Sequence, residues 1–348
     1  MRKCNYCNFY SVVPDKSELM HNYASACIEE LSRYVGKTGF DTIYFGGGTP
    51  SVLPSLEFER ILSYVYSNFE VASDAEISAE VNPATLDSEK MRQLKELSVN
   101  RLSIGVQSMS DAELKYLGRL HSSAQAAEAI ENALRFFENI SCDIIFGLPE
   151  GTSAAATAER LLSYPIAHIS AYILKIEEGT PLFEAGEHSP DDDSVSDLYL
   201  QMSEIFTKSG FRHYEISNYA RSGFECRHNL KYWRAEEYVG IGAAAHSFFD
   251  GERYANTSDI YAYLSSPCGV REVTDAHPDA FEEALMLRLR LSEGYDTAVF
   301  PQYAERLLKK AKLYSPVYLT ADGGTIRLNE RGFLVSNRII FELISACR

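Results

Sequence analysis

From residue 41 to about 178 the chain repeats one pattern: a short apolar run closed by turn-forming residues, then a longer stretch with apolar positions at helical spacing. DTIYFGGG (41–48), EISAEVNP (76–83), RLSIGVQS (101–108), SCDIIFGLP (141–149) and HISAYILKIEEGT (168–180) are rich in β-branched or aromatic residues. Each predicts a strand, with Gly, Pro, Asn or Ser at or near its end. Between them the spacing predicts helices over 15–35, 54–68, 85–97, 123–138 and 152–163. Asp87 with Lys90, and Ser123 before AQAAEAIENAL, read as helix openings. Strands alternating with helices predict a parallel sheet with crossover helices, and a site at the C-terminal ends of the strands. Five strands are legible.

After residue 180 the rhythm stops. PDDDSVSDLYLQMSEIFTKSGF (190–211) predicts a helix with an acidic start, which suits the helix dipole. Residues 215–256 are rich in aromatics and hold His228, His246 and a glycine/alanine turn. From about 257 the chain reads as a mainly helical C-terminal domain ending in IRLNERGFLVSNRIIFELI, a strand or wing followed by a helix. Two domains are expected, 1–256 and 257–348.

The charge of −16, from 33 basic and 49 acidic residues, disfavours a nucleic-acid partner, which usually meets a basic face. No apolar run of spanning length and no signal-peptide core appears, so a cytoplasmic location is expected, with membrane contact only through a partner. The seven cysteines are an odd number at mostly long spacings, which argues against a disulfide framework. Only Cys4 and Cys7 are close, as C-x2-C, a spacing that points to metal, cluster or redox chemistry.

Other residues carry candidate chemistry. Gly47 and Gly48 with Thr49 (FGGGTPS, 45–51) let a ligand approach the backbone closely, or form a simple tight turn. Glu80 ends a strand where a carboxylate can bind ribose hydroxyls. Gln107, Arg119 and Asp143 form a further polar set; Asp143 lies in an apolar run and needs a partner, which a structural Arg–carboxylate pair would also supply. In HNLKYW (228–233), His228 is a candidate axial haem ligand, with Tyr232 and Trp233 as porphyrin-stacking rings, or all three are core and loop residues.

Taken in order, Cys4-Asn-Tyr6-Cys7, Phe45-Gly-Gly-Gly-Thr-Pro-Ser51, Glu80-Val-Asn-Pro83, Gly105-Val-Gln107-Ser108, Asp143-Ile-Ile-Phe-Gly-Leu-Pro149 and HNLKYW resemble the oxygen-independent coproporphyrinogen III oxidase-like radical S-adenosylmethionine family. The resemblance covers nearly the whole chain and leans to the haem chaperone branch. It implies an incomplete (β/α)6 TIM-like barrel, a [4Fe–4S] cluster on Cys4 and Cys7, S-adenosylmethionine and haem. Gly47, Gly48 and Thr49 would meet the methionine part of S-adenosylmethionine, and Glu80, Gln107, Arg119 and Asp143 its ribose and carboxylate. The expected activity is haem binding and transfer to an acceptor protein; the alternative is oxidative decarboxylation of coproporphyrinogen III. Phe9 stands where the oxidases resemble one another in a further cysteine, and this favours the chaperone branch. The first of three cluster cysteines would fall just before Met1. The expectation is therefore that the chain as given holds no stable cluster, that no other cysteine replaces the ligand, and that residues 1–9 are mobile or displaced.

Overall fold

The computed structural model describes residues 3–12, 17–149, 154–269 and 271–348. Spacer residues Met1 and Arg2, and the first two residues of the helices expected over 15–35 and 152–163, lie outside them.

The expected alternation is present. Strands β1 (Phe40–Phe45), β2 (Val71–Val81), β3 (Arg101–Gln107), β4 (Asn139–Phe146) and β5 (His168–Ile173) pair side by side and parallel. Helices α1 (Ser17–Leu31), α2 (Ser55–Asn68), α3 (Ser88–Glu96), α4 (Asp111–Tyr116), α5 (Ser123–Ala133) and α6 (Ala154–Leu162) precede or separate them. Asp87 caps α3 through the Lys90 amide at 2.7 Å. The cap of α5 is Ser122, one residue before the expected opening, in a reciprocal capping box with Gln125.

Beyond β5, α7 (Pro181–Glu184) and α8 (Asp192–Lys208) lead to β6 (Arg212–Glu215) and β7 (Asn218–Ala220). This pair extends the sheet antiparallel, in the order β1-β2-β3-β4-β5-β7-β6, giving a curled half-barrel. Helix α9 (Arg227–Trp233) carries HNLKYW and packs on the inner face of edge strand β1.

The remainder joins helices to short strands. β8 (His246–Phe249) and β9 (Glu252–Asn256) form a hairpin, α10 (Ile260–Ser265) follows, and β10 (Arg271–Asp275) pairs with β9 across residue 256. Then come α11 (Ala280–Arg288), β11 (Tyr295–Asp296), α12 (Ala304–Ala311), the hairpin β12 (Leu319–Asp322) and β13 (Thr325–Leu328), α13 (Glu330–Leu334) and α14 (Ser336–Ser345). The closing strand β13 and the helix that ends the chain are those expected; the other short strands were not, because they are only two to five residues long and β10 is exposed throughout.

Strand alternation gives the curled sheet two unlike faces. Ile77, Ala79, Leu102, Ile104, Val106, Ile140, Cys142 and Ile144 point outward and pack with Phe58 and Leu62 of α2, Leu94 of α3 and Ile130 of α5 in the main core. The other parity, Thr42, Tyr44, Glu76, Ser78, Glu80, Arg101, Ser103, Ser141, Asp143, His168 and Ser170, lines the concave side.

Candidate functional site at the mouth of the half-barrel

β1 stops in a glycine run. Gly46 allows Tyr44 and Glu80 to meet, since a Cβ there would lie 2.5 Å from the Tyr44 ring and 3.0 Å from Glu80 Oε1. Gly47 has φ +88°, and a Cβ on Gly47 or Gly48 would meet nothing within 4 Å, so this exposed loop leaves its backbone open to a ligand. The Gly47 amide donates to Glu80 Oε2 at 3.2 Å, and the Tyr44 hydroxyl to Oε1 at 3.0 Å. Thr49 is exposed just beyond.

Glu80 and Asp143 share the concave face; Ser103 of β3 is in register with Glu80 on one side and with Ser141, two residues before Asp143, on the other. Ser103 donates to both Asp143 oxygens, at 3.0 and 3.1 Å, and Ser141 donates at 3.3 Å. Burial raises the Asp143 pKa despite these donors. Burial, and next the Asp143 charge, push Glu80 up to about 7.

Gln107 has φ +65° at a register shift between β3 and β4, a strained conformation for a non-glycine residue. Its amide lies where a Cβ on Gly105 would intrude, at 2.9 Å. Arg119 donates to the Gly105 carbonyl at 2.8 Å and approaches Cys4 Sγ at 3.4 Å. Thus Gly47, Glu80, Gln107, Arg119 and Asp143 gather at the C-terminal ends of β1–β4, and Arg119 joins them to the cysteine turn.

That turn corrects one expectation. Residues 4–7 are docked, not displaced: the Asn5 amide donates to Leu117 O at 3.0 Å, Leu182 N donates to Asn5 O at 3.0 Å, and Tyr6 packs in an apolar cluster with Leu117, Ile145 and Leu174. Backbone bonds to Leu117, at the end of α4, and from Leu182 of α7 tie the segment down. Among the described residues, no group of three or more His, Cys, Asp or Glu is placed to hold a metal ion. Among the described residues Cys4 and Cys7 offer two thiols at the C-x2-C spacing, short of the three a cluster takes. Cys27, Cys142, Cys226 and Cys347 are buried, and Cys268 lies apart with its thiol on Glu29 O.

His228 sits on the same concave side. Its Nδ1 meets Thr42 Oγ1 at 2.8 Å and its Nε2 meets the Tyr232 hydroxyl at 2.7 Å. Its ring stacks on Tyr44, with centroids 5.0 Å apart and planes 20° apart. Burial, then the Lys231 and Arg101 charges, lower its pKa to about 4, so the imidazole is neutral near pH 7. Tyr232 is 38% exposed, and its ring meets Tyr238 edge-on. Trp233 is turned away and faces the Arg290 guanidinium, so the structure joins only Tyr232 to His228. The reason is helical spacing: 228 and 232 are four apart and share a face, and 233 does not.

Sequence reasoning missed the floor of this concave face. Arg101 is 1% exposed, and among the described residues its Nε and Nη1 have no partner; Ser78 Oγ, its neighbour in register, has none there either. Burial opposes the Arg101 charge, and Cys226, Tyr44 and Glu76 more than offset it, holding its pKa above the ordinary value. His168 bridges Ser141 and the Tyr214 hydroxyl, both at 2.8 Å. The available signal was parity: polar residues at every second position of β2–β5.

The arrangement has known counterparts. Residues 1–161 match the Radical SAM superfamily model. The protein named heme chaperone HemW of Lactococcus lactis is 31% identical, over 97% of this chain and 92% of its own length. The chain belongs to the HemW family. The protein of that name from Synechocystis is 35% identical, over 90% of this chain and 80% of its own length, and that from Escherichia coli 32%, over 98% and 94%. Among solved structures, coproporphyrinogen III oxidase (HemN) from Escherichia coli, titled a radical SAM enzyme, superposes with a TM-score of 0.83 over 98% of this chain and 87% of its own. At 20% identity this likeness carries the fold alone. No described helix is long and apolar enough to cross a membrane.

Proposed function

We propose that this HemW-family chain is a haem chaperone that binds haem through His228, next to an S-adenosylmethionine pocket, and passes it to an acceptor protein. One observation carries the reading: a neutral His228 stands between Tyr44 and the exposed Tyr232, at the mouth of a polar lumen. A neutral imidazole is the form that ligates iron. Thr42, bonded to Nδ1, orients the ring and leaves Nε2 as the ligating atom once Tyr232 turns aside. Tyr44 and Tyr232 offer flat faces for a porphyrin. The relatives' shared name supports the chaperone reading over coproporphyrinogen oxidation.

In the S-adenosylmethionine pocket, Gly47 and Gly48 give backbone access, Glu80 accepts from ribose hydroxyls, and Gln107 and Arg119 donate to the carboxylate. Asp143 sets the charge of Glu80 from below. When bound, S-adenosylmethionine supplies the sulfonium chemistry of its superfamily.

Haem titration of His228→Ala tests the reading. We expect the ligand-dependent absorbance band to be lost and binding to weaken at least tenfold. An unchanged spectrum and affinity would sink it.

A further inference from the structure

We infer that Glu76 is the positioning residue for His228: a barrel-strand carboxylate that caps the haem-motif helix and fixes its imidazole over Tyr44. The inference rests on the reading of His228 as the haem ligand.

Glu76 lies on β2, four residues before Glu80 and on the same concave face. It is 5% exposed. Its Oε1 accepts the His228 amide at 3.1 Å, and Oε2 accepts the Arg227 amide at 3.1 Å. The Cys226 thiol approaches Oε1 at 3.6 Å. These are first-turn donors of α9, which an intrahelical ladder leaves unpaired. Cys226, at the N-cap position, makes no side-chain cap bond of its own, so the cap comes from a strand 150 residues away in sequence. A carboxylate at a helix start also meets the positive end of the helix dipole.

Other contacts hold α9 less firmly. Arg227 pairs with Asp74 at 3.3 Å at the surface, where ion pairs are weak, and the half-buried Lys231 pairs with the more exposed Asp41 at 2.9 Å, side chain to side chain. Thr42 reaches only the ring of His228. Among the described side chains, Glu76 alone grips the backbone of the ligand residue itself, from a buried site near Arg101. Glu76 therefore sets where His228 stands, and Thr42 sets how its ring is turned.

Glu76→Gln keeps the side-chain volume and removes the charge; one of its two backbone bonds must also be lost, because an amide nitrogen cannot accept it. Two measurements on the full chain decide the matter: haem titration, and amide exchange of residues 226–233 without haem. We expect Kd to rise about tenfold, the order of effect a lost charged cap carries. Exchange at Arg227 and His228 should rise by a similar factor, with β3 and β4 unchanged. Wild-type affinity and wild-type protection in Glu76→Gln, when His228→Ala has lost haem, would overturn the inference. If His228→Ala still binds as wild type, the ligand reading fails instead, and amide exchange alone decides on Glu76. If Glu76→Gln loses protection throughout the sheet, Cys226→Asp in that background returns a carboxylate to the helix start. A refolded double variant with α9 protected again supports the inference, and any other outcome for it, including a folded barrel with α9 still open, overturns it.

Discussion

The two faces of the curled sheet are built from the same strands by opposite rules. On the convex face Leu102, Ile104, Ile140 and Ile144 are fully or almost fully buried against helices, and nothing polar interrupts them. On the concave face Glu76, Arg101, Ser141 and His168 are just as deeply buried, yet polar. The convex face resembles any protein interior, where apolar area removed from water supplies stability. The concave face spends its burial on charges that need partners, and among the described residues Arg101 and Ser78 still lack some. One sheet thus separates stability from chemistry by side-chain parity alone.

The largest effect should come from the convex face. Leu102→Ala should destabilise the fold by roughly 2–5 kcal/mol in denaturant titration. A loss below about 1 kcal/mol would break the comparison, because the outer layer would then not carry the stability.

Glu80→Gln should do the reverse. We expect S-adenosylmethionine binding to weaken at least tenfold, read by calorimetry, while the fold is kept. The sign of its pH effect follows from the raised pKa of Glu80, about 7 in the folded chain against an ordinary value of 4.5. The folded state holds the proton better, so the contribution is complete below pH 4.5 and fades as pH rises through 7. Between pH 5 and 8 the wild type should lose about 2–3 kcal/mol relative to Glu80→Gln. A constant difference across that range would mean that Glu80 is not confined as the concave face requires.

The smallest effect concerns Tyr232, whose hydroxyl occupies His228 Nε2. Tyr232→Phe removes a bond that haem has to displace, so haem should bind about three- to tenfold more tightly. Weaker binding would show that the hydroxyl serves the complex and not the empty site.

Much of this was legible in the sequence. Strand-to-helix periodicity located β1 to β5, the residues closing those strands pointed to the glycine loop, Glu80 and Gln107, and a charge inside an apolar run pointed to Asp143. Strand β6 has only four residues and β7 three, too few to show a period, so the antiparallel extension was hidden. Glu76 was overlooked although it shares Glu80's parity, because its partners lie on α9, and no local pattern announces a contact across 152 positions. The displacement expected for the cysteine turn failed for a similar reason: its anchors, Leu117 and Leu182, are remote in sequence. Trp233 was grouped with His228 by adjacency, and the helix turned it elsewhere.

Tyr44 stands between the two proposed ligands, its hydroxyl on Glu80 and its ring on His228. Position 44 is therefore not free to vary for one ligand alone. A lineage that reshapes the ring to suit a different tetrapyrrole also changes what the nucleoside-facing acid is bonded to, and selection on either ligand constrains the other. Phenylalanine is the smallest change that separates these demands, because it keeps the stacking surface and frees the carboxylate. Divergence of one function without the other should pass through that residue first.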